Sequence, residues 1–270
     1  MAYQAIFKRY ELKYMLTRQQ KEILLEAMKP YMALDAYGRT TIRNIYYDTD
    51  NYRLIRRSIE KPEYKEKLRV RSYRQVSAEE NVFVELKKKY KSVVYKRRLH
   101  MPQEQAQEWL ATGQREAFPV QSKVAEFGQR EVQSAQRKGQ QPRLDESYAT
   151  AQISAEIDYF LQYYETLHPV LFLSYEREAY CALDGGDFRV TFDDHILCRQ
   201  EDLSLTAEVR GEFILEEDKV LMEIKCSGGI PLWMTEVLSR EKLYKTSFSK
   251  YGTAYQNIIF PKLKEGMKNA

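Results

Sequence analysis

Residues 64–74 read YKEKLRVRSYR, and their alternation decides the fold. Lys65, Lys67, Arg69, Arg71 and Tyr73 have one parity, Leu68 and Val70 the other. Successive side chains of a strand point to opposite faces. A period of two therefore predicts a strand with one cationic and one apolar face. The same division recurs along the chain. In 81–88, NVFVELKK, Val82, Val84 and Leu86 oppose Phe83, Glu85 and Lys87. In 187–194, DFRVTFDD, Phe188, Val190 and Phe192 oppose Arg189, Thr191 and Asp193. In 219–226, KVLMEIKC, Val220, Met222, Ile224 and Cys226 oppose Lys219, Leu221, Glu223 and Lys225. In 7–16, FKRYELKYML, Phe7, Arg9, Glu11, Lys13 and Met15 share a face. With 41–49, 92–100 and 170–181, these segments predict eight main strands.

Helical patterns fill the gaps. Thr17 precedes an apolar stripe at Ile23, Leu24, Ala27 and Met28 and reads as an N-cap. A short helix is expected at 50–58, a helical insertion at 102–168 with a polar loop at 136–147, and a C-terminal helix at 231–259 before a frayed tail. Asp184-Gly185-Gly186 marks a hairpin turn. The expectation is one α+β domain over 1–270, a closed eight-stranded antiparallel β-barrel with its helices packed outside.

Bulk properties narrow the function. The 43 basic residues are nearly matched by 39 acidic ones, and the net charge of +4 argues against a nucleic-acid partner. Cys181, Cys198 and Cys226 are far apart and odd in number, which predicts reduced thiols rather than a disulfide framework or a zinc site. The start lacks a signal-peptide core, and no apolar run reaches the roughly 18 residues of a membrane span. These features predict a cytoplasmic protein with no membrane span of its own.

The informative feature is the recurrence of Glu-x-Lys at one phase: Glu11-Leu12-Lys13, Glu85-Leu86-Lys87 and Glu223-Ile224-Lys225. Each pair lies on one face about 7 Å apart, on the scale of a phosphate chain. An open antiparallel sheet with one solvated face is the plain alternative. In a closed barrel these charges point inward. Guanidinium groups there would grip phosphate oxygens bidentately, and the interleaved glutamates would hold Mg²⁺ or Mn²⁺.

The order FKRYELKYML, KLRVRSY, VFVELKKKYKSVVYKRR, LSYEREAY, FRVTFDDHI, LMEIKCSGGIPLWM and SFSKYG resembles the VTC domain over roughly 5–260. That domain is the polyphosphate polymerase branch of the triphosphate tunnel metalloenzymes, which include the CYTH proteins. The resemblance implies a tunnel in which the ATP γ-phosphate is transferred to a growing inorganic polyphosphate chain. It implies phosphate contacts from Lys13, Arg69, Arg71, Lys87, Lys96, Arg177 and Arg189, with Arg69, Arg71, Lys87, Arg177, Arg189 and Glu223 as the catalytic set. Glu223 matches the metal-binding glutamate, with Glu11 and Glu85 as helpers. Lys250 matches a basic residue near the tunnel mouth, and Tyr175 a tunnel wall. Lys67 and Lys225 join the substrate-binding set by phase. Hydrolytic relatives begin E-x-E-x-K, where this chain has Arg9-Tyr10-Glu11-Leu12-Lys13; the arginine favours phosphate grip and polymerisation. Regulatory and membrane modules fused in eukaryotic members are absent from the sequence, leaving a separate membrane protein as the expected membrane partner.

No nucleophilic triad or Walker-type glycine loop is present, so side chains would hold ATP. His100, His168 and His195 lack ligand spacing. In the KKKYK run at 87–91, Lys87 is in phase with Glu85 and Lys88 is not. The competing readings are a tunnel triphosphatase or nucleotide phosphohydrolase, and a non-catalytic polyphosphate or nucleotide sensor.

Overall fold

The computed structural model describes residues 10–91, 93–113 and 143–268. Its strands are β1 (Tyr10–Thr17), β2 (Met32–Asp48), β3 (Tyr64–Ser72), β4 (Asn81–Tyr90), β5 (Val93–Pro102), β6 (His168–Ala182), β7 (Arg189–Arg199), β8 (Glu212–Phe213), β9 (Lys219–Cys226) and β10 (Lys245–Thr246). All pair antiparallel, in the order β10-β1-β9-β7-β6-β2-β3-β4-β5, with β8 on β7. The helices are α1 (Arg18–Met28), α2 (Arg53–Ile59), α3 (Gln103–Thr112), α4 (Arg143–Tyr164), α5 (Leu232–Arg240), α6 (Lys250–Ala254) and α7 (Phe260–Lys268), with a π-helical turn, Tyr255–Ile259, between the last two. The middle of the expected insertion, 114–142, and Arg9 lie outside the described residues.

Alternation in the strands becomes two segregated faces. Leu68, Val70, Val82, Val84 and Leu86 point outward and pack with Trp109 and Leu110 of α3 and Ile157 and Phe160 of α4. On the other flank, Val190, Phe192, Val220, Met222 and Ile224 pack with Leu24 and Met28 of α1 and Met234, Val237 and Leu238 of α5. A capping box starts α1: Gln20 N–H donates to Thr17 Oγ1 at 3.2 Å, and Thr17 N–H donates to Gln20 Oε1 at 2.9 Å. A third cluster joins Tyr46, Leu171, Leu173, Tyr175 and Leu221 to Tyr251, Ala254, Tyr255 and Ile259, so the C-terminal helices pack against this part of the sheet.

The expected closed eight-stranded barrel is corrected. Ten strands form, the eight anticipated plus β8 and β10, which at two residues each are too short to show a period. No pairing joins β5 to β10 among the described residues. The outer edge of β1 is taken by β10 and that of β4 by β5, so those two strands cannot close on one another. The sheet curls nonetheless. Lys87 of β4 lies 3.7 Å from Glu11 of β1. In a flat sheet the strand spacings between them, at about 4.8 Å each, would hold them about 29 Å apart. Side chains, rather than backbone hydrogen bonds, bring the two together.

The expected helix at 231–259 is also divided. It stops after Arg240, Lys242 adopts φ 53°, and Leu243 N–H closes onto the Leu238 carbonyl at 2.8 Å, turning the chain onto the β1 edge as β10. The tail expected to fray forms α7.

Leu86 is fully buried between β4 and the helices, while its neighbours Glu85 and Lys87 carry inward charge. Leu86→Ala should lower unfolding free energy by about 2–5 kcal/mol in a denaturant titration, and leave tripolyphosphate affinity of the folded protein unchanged.

Candidate functional site

Antiparallel pairing of β1 with β9 sets two Glu-x-Lys motifs side by side in opposite directions. Glu11 faces Lys225, and Lys13 faces Glu223. Lys13 Nζ is 3.4 Å from Glu223 and 3.6 Å from Glu11, and Lys225 Nζ is 3.4 Å from Glu223. The third motif joins from β4, through the Lys87–Glu11 contact across the curl. Lys225 keeps 27% of its side chain accessible.

Around Glu223 the cations converge. Arg177 Nη2 lies 3.6 Å away and Lys250 Nζ 3.5 Å away. Beside it Asp193 is wholly buried, accepting from Arg177 Nε and Nη2 at 2.6 and 2.7 Å and from Lys250 Nζ at 2.5 Å. Burial works to raise both carboxyls. Arg177 and Lys250 outweigh it at Asp193, and Lys250, Lys225, Lys13 and Arg177 hold Glu223 well below the usual range. At Glu11 burial is likewise outweighed, by Lys87, Lys225 and Lys13.

A second centre is built on Glu85, whose side chain is 1% exposed. Arg69 Nε and Nη2 donate to Oε2 at 2.8 and 2.7 Å. Arg98 Nε at 2.8 Å and Lys96 Nζ at 2.7 Å reach Oε1. Against burial, Arg69, Arg71, Lys96 and Arg98 drive this carboxyl far down. Arg71 links the centres: Nε donates to Asn44 Oδ1 at 2.9 Å and Nη2 to the Tyr175 hydroxyl at 3.1 Å. Over the Tyr175 ring stand the Arg177 guanidinium at 5.2 Å and Lys250 Nζ at 4.4 Å.

The structure thus brings Glu11, Lys13, Arg69, Arg71, Glu85, Lys87, Lys96, Tyr175, Arg177, Glu223, Lys225 and Lys250 into one connected network. Lys67 adjoins it, opposite Lys87, donating to Ser249 Oγ at 3.0 Å. The side chain of Arg189, opposite Lys225, has no hydrogen-bond or ion-pair partner among the described residues. Sequence reasoning put Asp193 and Arg98 on the right faces without choosing them, and passed over Asn44 and Tyr46, which accept from Arg71 and Arg69. The polar partners of buried arginines carry no periodic signal.

Among the described residues, no group of three or more His, Cys, Asp or Glu side chains is gathered for a metal ion. Magnesium-type ions, however, commonly take one or two protein carboxylates and complete their shell with substrate phosphates. Glu11 and Glu223, sharing Lys13, suit that mode. Thr191 supports it: this residue faces Glu223 across the β7–β9 pair, and its hydroxyl is buried without a hydrogen-bond partner among the described residues. Both oxygens of Glu85 are held by cations at 2.7–2.8 Å, whereas the cations beside Glu11 and Glu223 stand off at 3.4–3.7 Å, which sets Glu85 apart from that carboxylate pair.

Comparison with known proteins gives a family model, described as the VTC domain, that matches residues 8–259. No curated protein matches the sequence. Similar solved structures include a candidate adenylate cyclase from Bacillus halodurans, 14% identical, covering 88% of this chain and 92% of that one, with a TM-score of 0.46. Another is a candidate adenylyl cyclase from Hippeastrum, described as having a dominant triphosphatase activity, 15% identical, covering 91% and 94%, with a TM-score of 0.45.

Burial pushes Lys67 down to about 7, aided by Lys87, Lys13, Lys65 and Arg69. The cost of its buried charge is fully present below pH 7. It is relieved as pH rises from there toward 10.5, where the unfolded lysine also loses its proton. A bound polyanion reverses this preference. Tripolyphosphate binding at pH 8 should therefore take up protons and weaken as pH rises from 6.5 to 8.5 (window set by the value near 7). Calorimetry in two buffers of different ionisation heat reads the uptake. Lys67→Met should reduce it, and equal uptake in both proteins would place the titration elsewhere.

Proposed function

Because this chain belongs to the VTC domain family, we propose that it is an ATP-dependent polyphosphate polymerase. It would transfer the ATP γ-phosphate to a growing inorganic polyphosphate chain within the curled sheet, using Mg²⁺ or Mn²⁺. The reading takes residues 1–270 as one catalytic unit, with no nucleic acid involved. No helix among the described residues is long and apolar enough to cross a membrane.

One observation carries the choice of transfer over hydrolysis. Every inward carboxylate named above, Glu11, Glu85, Asp193 and Glu223, is held below its ordinary value by cations. Such groups are weak general bases and poor at taking a proton from water. The terminal phosphate oxygen of a polyphosphate chain is already ionised and needs no base. That oxygen bonds to the γ-phosphorus while the bond from phosphorus to the β–γ bridging oxygen breaks, and ADP leaves with that electron pair. The transition state spreads charge over three equatorial oxygens, so catalysis is chiefly positioning and charge stabilisation.

Arg177, Lys250, Lys13 and Arg189 would hold the nucleotide phosphates near Glu223. Arg69, Arg71, Lys87 and Lys96 would hold adjoining phosphoryl groups, with Lys67 and Lys225 flanking. Tyr175, under Arg177 and Lys250, fixes their height. Glu223, with Glu11, would hold the metal ion, which when bound neutralises charge on the β- and γ-oxygens. Glu85 would serve as the counter-charge that orients Arg69, Lys96 and Arg98.

Purified protein incubated with ATP and Mn²⁺ or Mg²⁺ should make polymer that resolves on a gel and is degraded by an exopolyphosphatase. Orthophosphate alone would establish the hydrolase, and neither product with retained tripolyphosphate binding would establish the sensor. Glu223→Gln should shift the metal titration to higher concentration. Arg71→Lys keeps the charge but loses the fork that engages Asn44 and Tyr175. It should slow transfer roughly 10- to 150-fold, the equivalent of about 1.5–3 kcal/mol, with little change in melting temperature. Unchanged transfer would remove Arg71 from the site.

A further inference from the structure

Beyond Lys67 the inward face carries only lysines as far as the end of β3; Glu63, of the same parity, lies just past that end, where its carbonyl accepts from Lys91 N–H at 3.0 Å. Register sets Lys67 directly across from Lys87, and Lys65 directly across from Lys89, giving two successive rungs of like charge on β3 and β4. Like charges opposite one another destabilise a sheet. Lysines are often placed on edge strands to prevent aggregation; here β5 pairs with β4 through Lys89, so Lys89 is interior to the sheet, while β2 pairs with β3 only at Leu68–Ser72 and leaves the Lys65 end of β3 beside α2. The same run contains its own control. Lys88, of opposite parity, points outward and lies 3.9 Å from Glu66 and 3.7 Å from Glu156. Lys89 is paired through its backbone with β3 and β5, and its side chain has no hydrogen-bond or ion-pair partner among the described residues. Lys65 donates to the Ser58 carbonyl near the end of α2 at 3.2 Å, a neutral acceptor. The charges that act most strongly on Lys65 are Lys89, Lys61, Lys87 and Lys13, all cationic. Lys61 is exposed, outside the sheet.

We propose that Lys65 and Lys89, with Lys61 beyond them, form a track for linear inorganic polyphosphate longer than a triphosphate, extending the phosphate site outward from the Lys67–Lys87 rung. The assignment rests on the polymerase reading, since a triphosphate hydrolase has no use for cations past the site that holds its substrate. Each rung is two residues from the last, about 7 Å along the strands, so the lysines present a row of charge to a chain of repeating anions. The repulsion stored between opposed lysines is relieved when the polymer lies between them. The track then favours long chains over short ones and keeps the product engaged between transfers.

The test compares tripolyphosphate with a polyphosphate several times longer, measured by calorimetry on the full chain, wild type against Lys65→Gln/Lys89→Gln. Wild type should bind the longer chain roughly tenfold or more tightly. The double variant should keep its tripolyphosphate affinity within about twofold and lose most of the gain with length. Its melting temperature should hold or rise, because like-charge repulsion is removed. A variant that retains the full length gain overturns the track and leaves the polymerase reading standing. Equal loss for both ligands also overturns it, since that describes a general field. A wild type that gains nothing from length overturns the track and counts against the polymerase reading as well. If the double variant fails to fold, Lys89→Gln alone, which removes no partnered group, should lose part of the length gain; a full gain there rejects the track.

Discussion

The ion network around Glu85 sets the terms for the inward face. Arg69, Lys96 and Arg98 are drawn from solvent onto one carboxylate, and a buried carboxylate is tolerable only when such donors saturate it. Asp193 and Glu223 do the same for Arg177 and Lys250. Charge is balanced in both centres, and on the proposed reading an anion arriving between them would meet donors already oriented. Preorganisation of that kind is how fixed charges stabilise a transition state without reorganising during the reaction.

Holding the polar network inside dictates the remainder of the architecture. The apolar halves of the strands must find cover on the outside, so helices pack on both flanks of the sheet. The C-terminal segment has the opposite task. After β10 it approaches the network, where the Phe248 carbonyl and Ser249 hydroxyl accept from Lys13 and Lys67, and Lys250 reaches Asp193. Tyr251 then stacks on Tyr46 at 4.8 Å.

Much of this was legible in the sequence. Parity located seven of the eight long strands and the second half of β2, whose Met32–Thr40 stretch it missed, and it separated Leu68 and Val70 from Arg69 and Arg71, because a one-residue error would bury charge and expose the core. It also placed the three Glu-x-Lys motifs on one face. Closure was not legible. Whether β1 and β4 meet by hydrogen bonds or through Glu11 and Lys87 depends on which strands occupy their outer edges, and β10 is too short to announce itself. Nor did the pattern reveal that both Glu85 oxygens would be occupied, since Lys96 and Arg98 come from a different strand. The break at Lys242 was hidden because a lysine with φ 53° has no compositional mark.

The strict alternation has a consequence for how such a chain can change over generations. In β3, β4, β7 and β9, neighbouring residues answer to different selective demands. One parity keeps the protein folded, and the other, on the proposed reading, decides which anions it handles. On that reading, substitutions at Lys87, Arg189 or Lys225 would redirect the chemistry while the outer packing of Leu86, Val190 and Ile224 stays intact. A lineage can therefore explore new phosphate substrates along half of each strand with its scaffold preserved by the other half, and the two halves can drift at separate rates.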